Sequence, residues 1–294
     1  MTRYAQELDV IRARVTSFDD TVIAVRHLGA GPALPLLVVN AVGANLGPWR
    51  LTLERLAPEG PIVMWDHRGM FGSGPPSGQR VDTEAHARDA LEVMDHLGYE
   101  QFVVASWSSG GRIALEIAHR FGERVAALAL VSAGQGYALT RFLRYFELPS
   151  LLPLAAGVAR RFASPLGGAL HGLLGRPELA GLVRQAGMTS ASADIGSLVE
   201  LVRGLGDSDM GILLATYEEV VGDPAWPLLP EIAVPTLLIA GEHDQFAPRR
   251  MTEEMATAIP GAELIFYEDA THYLPMEYPE LLADDLSSFF ARVV

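Results

Sequence analysis

In the stretch Ser106-Trp-Ser-Ser-Gly110, a serine stands at the centre of a hard turn between an apolar run and a helix-like pattern. A strand-to-helix turn of this kind strains its central residue, lifts that side chain above the sheet and aims the first helical amides at any anion formed there. Ser108 is therefore the candidate nucleophile. A serine hydroxyl attacks a carbonyl only when a neighbouring base takes its proton. Two distant polar loops hold candidates for that base and for a carboxylate to orient it: Glu242-His-Asp-Gln-Phe-Ala-Pro248 and Glu268-Asp-Ala-Thr-His-Tyr-Leu-Pro275. Residue types alone leave the choice open among their acids and histidines. The competing reading of the serine stretch is structural, because serines are common helix caps and Ser106 stands where the pattern G-x-S-x-G asks for glycine.

The elements that must position these groups are legible from periodicity. Phe102 to Ala105 is a short β-branched run of the kind that forms a buried parallel strand, and Ile113 to Ala118 continues as a helix. Similar buried runs occur at Leu34 to Val39, Pro61 to Trp65, Val125 to Val131 and Pro235 to Gly241, and Ala262 to Tyr267 reads as a further strand. Val10 to Val15 and Val22 to His27 alternate as an antiparallel hairpin for a sheet edge. Helices are expected over Thr83 to Leu97, ended by Gly98, and over Pro248 to Ile259. A closing helix, Pro279 to Arg292, should turn Leu281, Leu282, Leu286, Phe289 and Phe290 to the core.

Strand and helix alternating at this spacing imply right-handed crossovers and a mostly parallel sheet, with ligands at the carboxyl ends of the strands. Asn40 to Gly43, Asp66 to Gly69 and Ser108 all follow strands and so share one rim. Between about Gly134 and Pro227 no strand pattern appears. Helical candidates lie near Leu139 to Phe146, Leu154 to Phe162, Leu179 to Ala186, Ile195 to Leu205 and Ile212 to Val221, consistent with an inserted cap over an apolar pocket. The implied division is 1–134 and 229–294 for the core and 135–228 for the insertion.

Composition removes several function classes. A net charge of −14 gives no basic face for nucleic acid and disfavours anionic membranes. The absence of cysteine excludes disulfides and thiolate chemistry. The apolar segment 151–175 is interrupted by Pro153, Arg160, Arg161 and Pro165, and so is not a membrane span. The first residues lack the apolar region of a signal peptide, which makes a cytoplasmic location the expectation. No histidine pair has metal-ligand spacing, so neither metal nor other cofactor is expected.

In this order the motifs resemble the α/β-hydrolase family: Leu37-Val-Val-Asn-Ala-Val-Gly43 with Trp49, Asp66-His-Arg-Gly69 with Gly72-Ser73, Ser106-Trp-Ser-Ser-Gly-Gly111, Pro235-Thr-Leu-Leu-Ile-Ala-Gly-Glu-His-Asp244, and His272 with Glu277-Tyr-Pro279. The resemblance implies an α/β fold with an eight-stranded, mostly parallel sheet flanked by helices and carrying a helical cap. By position it implies Ser108 as nucleophile, Asp244 as acid and His272 as base, with Glu242 and Asp269 as rivals for the acid. His243 should point away, and the other histidines are expected at the surface or in packing. The backbone amides of Val42 and Ser109 would form the oxyanion hole. Trp107, Phe71 and Tyr273 would touch substrate, Phe71 from over the pocket mouth, while Asp66 and Arg68 brace the rim.

The family usually has His-Gly where this chain has Asn40-Ala41. That makes the loop path an open question, because alanine resists positive φ, and the Asn resembles the enol-lactone hydrolase subgroup. A serine nucleophile disfavours the haloalkane dehalogenase and epoxide hydrolase branches, which need a carboxylate. The resemblance thus implies a serine hydrolase acting on small-molecule carboxylic esters, or thioesters, with an apolar group under the cap. Enol-lactone or C–C bond hydrolysis on the same residues is the nearest alternative, favoured by an arginine-lined pocket. A slow-turnover small-molecule receptor is a third.

Overall fold

A computed structural model describes residues 10–133 and 188–294, together with positions 181, 184 and 185. The described residues form an eight-stranded sheet. Its strands are β1 (Ile11–Thr16), β2 (Val22–Leu28), β3 (Leu36–Val39), β4 (Ile62–Trp65), β5 (Phe102–Trp107), β6 (Val125–Val131), β7 (Thr236–Gly241) and β8 (Glu263–Tyr267). Their spatial order is β1-β2-β4-β3-β5-β6-β7-β8. β1 and β2 form the expected antiparallel hairpin at one edge, β2 also meets β4 antiparallel, and every pairing from β4 onward is parallel.

The helices are α1 (Arg50–Leu56), α2 (Thr83–His96), α3 (Gly110–Arg120), α4 (Ile195–Asp207), α5 (Met210–Gly222), α6 (Arg249–Ala258) and α7 (Pro279–Val293), with a single helical turn at Leu274–Glu277 before the last. Three of them begin at aspartates whose carboxylates accept an orphan amide: Asp82 from Ala85, Asp194 from Ser197 and Asp209 from Ile212. β3, β4 and β5 are buried along their whole length, which is why their sequences read as unbroken apolar runs instead of alternating ones.

Apolar layers cover both faces of the sheet. One contains Leu37, Val63 and Val104 with α2 and α3, and the other contains Val38, Met64 and Ala105 with α1 and α7. Successive residues of a strand thus serve opposite layers, as the pleat requires. On α7 the inward stripe is Leu282, Leu286 and Phe289, whereas Leu281 is 47% exposed and Phe290 is only partly buried. The expectation that Leu281 faces the core is therefore corrected. Leu281 precedes Leu282, and one helical residue is about 100° of rotation, enough to carry it off the stripe.

Chain order reverses across β3: the chain passes from β3 to β4 on one side and later returns to β5 on the other. Loops leaving β3 and β5 diverge there, and their mouths make the crevice in which open α/β sheets hold ligands. A buried ion pair braces this rim. Arg68, after β4, donates to Asp89 of α2 at 2.7 and 2.8 Å and to Asp19 of the β1–β2 turn at 2.8 Å.

The expected helices at 139–146 and 154–162 fall outside the described residues, as does most of the one at 179–186. Those expected at 195–205 and 212–221 are α4 and α5. No helix among the described residues is long and apolar enough to cross a membrane.

Candidate active site

The serine turn follows β5 directly. β5 runs to Trp107, two residues beyond the run recognised in sequence, and Ser108 then adopts φ = 56°, the left-handed region that a β-carbon disfavours. Its amide donates to the Val131 carbonyl at 3.0 Å, and its carbonyl accepts from Gly111 at 3.0 Å as α3 begins. This strained turn projects the Ser108 side chain off the sheet end. A β-carbon at Gly110 would lie 2.4 Å from the carbonyl oxygens of Val39 and Asn40, so only glycine lets α3 begin this close to the β3 loop. At Ser106, where the motif asks for glycine, the hydroxyl is wholly buried and directed at the Ala129 carbonyl, 3.4 Å away.

His272 comes from the loop after β8 and Asp244 from the loop after β7. His272 Nε2 lies 2.7 Å from Ser108 Oγ, and His272 Nδ1 lies 2.9 and 3.0 Å from the two Asp244 oxygens. An ionised carboxylate only accepts, so Nδ1 must carry the proton, leaving Nε2 free to accept from the Ser108 hydroxyl. Asp244 is 4% exposed, and its Oδ1 also accepts the amides of Phe246 and Ala247 at 2.8 and 2.7 Å. Phe246 then packs on His272 with ring centroids 4.8 Å apart.

The rival residues go elsewhere. Glu242 pairs with Arg249, and Asp269 and His243 are exposed. Buried Glu277 accepts the Thr271 amide at 2.8 Å, the Thr271 hydroxyl at 2.6 Å and the Ser190 amide at 2.7 Å. It thereby pins the residue before His272. Trp107 Nε1 adds a bond to the His272 carbonyl at 2.9 Å.

The loop after β3 is held by Asn40 itself. Asn40 Oδ1 accepts the Ala41 amide at 2.9 Å, and its Nδ2 donates to the carbonyls of Ala44 and Asn45. Positive φ falls on Gly43, at 82°, and Ala41 needs none. The Val42 amide faces α3 and donates to Ser109 Oγ at 2.9 Å.

These groups open on a cavity of about 280 Å³. Its floor includes Val42, Trp107 and Ser109, and α4 and α5 contribute Leu201, Leu205, Tyr217 and Val220 above. Arg112 of α3 is the cation among the described lining residues, but Glu116 and Asp223 both hold its guanidinium. Arg184 and Arg203 are exposed. Tyr273 also lines the cavity, and burial, helped by the Asp244 charge, pushes its phenol up to about 12, so it remains a neutral donor. Phe71, expected over the mouth, does not line the cavity; it stands at positive φ and rests against Gly204 of α4.

Of the residues singled out in sequence, Ser108, Asp244, His272, Val42, Ser109, Trp107 and Tyr273 converge here, and Phe71 does not. Sequence reading missed the Ser109 side chain, the anchoring carboxylate of Glu277 and the contributions of Leu201, Leu205 and Tyr217. Only Glu277 carried a signal, as part of the Glu-Tyr-Pro motif. No group of three or more metal-ligating side chains occurs among the described residues.

The strained serine turn at the end of a parallel sheet, faced by a histidine and a carboxylate from the last two strand loops, defines a class. Residues 35–279 match the family model for the alpha/beta hydrolase fold, and the chain belongs to that family. Among its relatives, "Putative carbamate hydrolase RutD" of Azorhizobium caulinodans is 29% identical over 264 residues, spanning 90% of this chain and 93% of that protein. The poly(3-hydroxyalkanoate) depolymerase of Ectopseudomonas oleovorans is 28% identical over 244 residues, 82% of this chain and 78% of its own. In fold the chain is similar to the enol-lactonase of Burkholderia xenovorans LB400, with a TM-score of 0.77 at 22% identity, covering 95% of this chain and 100% of that one. Family membership and the names of these relatives support hydrolytic chemistry.

Proposed function

We propose that the protein is a serine hydrolase that cleaves carboxylic esters of a largely apolar small molecule through an acyl-enzyme. The observation that carries this reading is the hydrogen-bonded line Ser108–His272–Asp244, with contacts of 2.7 and 2.9 Å, beside a cavity whose described walls are mainly apolar. Ser108 attacks the carbonyl as His272 takes its proton, and the oxyanion is held at the Ser109 amide and at the Val42 amide, directly or through the Ser109 hydroxyl that accepts it. The imidazolium, stabilised by Asp244, returns its proton to the leaving alkoxide, and water deacylates the serine by the same route. Trp107 and Tyr273 border the acyl or alcohol group, and α4 and α5, within the insertion 135–228, act as part of a cap. No cofactor takes part.

A poly(3-hydroxyalkanoate) is itself a polyester, so one relative's name agrees with this bond type. Hydrolysis of a lactone by the same residues is the second reading, favoured by the fold shared with the enol-lactonase. Against a dicarboxylate lactone stands Arg112, whose charge is already engaged by two acids.

The test is a panel of p-nitrophenyl esters and lactones with wild-type protein, Ser108→Ala and His272→Ala. Each substitution should lower kcat by about 10⁴-fold or more, with no additivity between them. Undiminished turnover in Ser108→Ala overturns the proposal. Stoichiometric fluorophosphonate labelling without turnover on any ester would instead identify a receptor.

A further inference from the structure

Ser109 was expected to contribute only its amide, yet its hydroxyl is also engaged at the site. Ser109 lines the cavity and is 8% exposed, and its Oγ accepts the Val42 amide at 2.9 Å. Having accepted there, the hydroxyl still has its own proton. Among the described residues no acceptor takes that proton. The hydroxyl therefore stands between the two backbone donors assigned to the oxyanion, fixed by one of them and belonging to the residue that supplies the other.

A neutral hydroxyl polarised by a donor at its oxygen becomes a better donor itself, because hydrogen bonds in a chain reinforce one another. Opposite a developing negative charge in a site screened from water, an O–H···O⁻ contact is among the strongest available. Holding the hydroxyl on Val42 beforehand also means that little reorganisation is needed when charge appears, the condition under which such donors contribute most to rate. Were Oγ simply a placeholder for substrate, it would have to rotate away before any carbonyl could enter. It would then cost binding and give nothing back.

We propose that the Ser109 hydroxyl is a side-chain donor to the oxyanion, held in place by the one hydrogen of the Val42 amide, which it relays, and acting beside the Ser109 amide. The inference rests on the acyl-transfer reading above and extends it. No bond is made or broken at Ser109; its proton stays on Oγ and only its hydrogen bond strengthens as the carbonyl oxygen of the substrate takes up charge.

The experiment compares wild-type protein, Ser109→Ala and Ser109→Thr in two assays: p-nitrophenyl ester turnover and the rate of Ser108 labelling by a fluorophosphonate, whose phosphoryl oxygen occupies the oxyanion position. Ser109→Ala should lose about 10- to 100-fold in kcat, at or below the value of one oxyanion donor, with KM within about twofold. Labelling should slow in parallel, affinity for a trifluoromethyl ketone should fall by a similar factor, and Ser109→Thr should restore most of each. A Ser109→Ala protein with wild-type melting temperature and unchanged or faster turnover and labelling would show the hydroxyl to be a placeholder and overturn the inference alone. A wild-type protein that neither labels nor turns over any ester would overturn the parent reading, and this one with it.

Discussion

Deleting the Asn40 carboxamide would release the loop after β3 at both ends, since one side chain ties Ala41, Ala44 and Asn45 together. The site would lose little packing, because Asn40 holds backbone and does not line the cavity. What it would lose is the fixed direction of the Val42 amide. Asn40→Ala should therefore reduce kcat for an ester by about 10-fold, less than the complete loss of a donor, while the melting temperature changes little. Steady-state kinetics alongside a thermal melt check this. A large drop in stability with no kinetic defect would show the loop to be scaffolding only. The same scale explains why Asp244 and not Glu242 meets His272: two loop amides turn the Asp244 carboxylate inward, whereas Glu242 is drawn outward by Arg249.

Arg68 and Asp89 bind separate elements into one rim. The guanidinium comes from the loop after β4, the carboxylate from α2 and the second acid, Asp19, from the turn of the edge hairpin. Both paired side chains have no exposure to solvent. Removing Asp89 takes away the buried counter-ion of the Arg68 charge and leaves it only the partly exposed Asp19, which costs more than the pair's net stabilisation. Asp89→Ala should destabilise the fold by about 3–5 kcal/mol in urea unfolding. The double substitution Arg68→Met with Asp89→Leu should recover much of that loss. A change under about 1 kcal/mol for Asp89→Ala would contradict the account.

For the molecule as a whole, acid stability should be governed in part by two histidines that take no part in the site. His67 and His86 are buried with ring centroids 5.0 Å apart, and His67 Nε2 has no hydrogen-bond partner among the described residues. Burial pushes the His67 imidazole down to about 4; burial, then the neighbouring His67 and Arg68, lowers His86 well below its ordinary value. Between pH 6.5 and about 4 the unfolded chain binds protons that the folded chain refuses, so stability rises with pH across that window and is lost on acidification. His67 alone should account for about 3 kcal/mol of this loss. Urea midpoints at pH 7, 6 and 5 should fall steadily for wild-type protein and less steeply for His67→Phe. Equal slopes for the two proteins would refute the assignment.

Much of this architecture was written into the chain as pattern. Short unbroken apolar runs read as strands buried on both faces, and amphipathic segments such as Thr83 to Leu97 read as helices packed on them. The strained turn at Ser108 followed from small residues between a strand and a helix. What those patterns lack is any record of direction for a side chain on a loop or of phase on a helix. Leu281 reads as core and lies off the stripe; Phe71 reads as a pocket residue and rests on α4. That Asp244, and not Glu242 or Asp269, lies against His272, the course of Asn40-Ala41 and the contact of Ser109 Oγ with the Val42 amide are visible only in three dimensions. Local sequence determines which segments can be strands or helices because that depends on periodicity and propensity within a few residues. Which polar groups meet depends on hydrogen bonds between residues as far apart as 108 and 272, and only the folded sheet brings their loops to one edge.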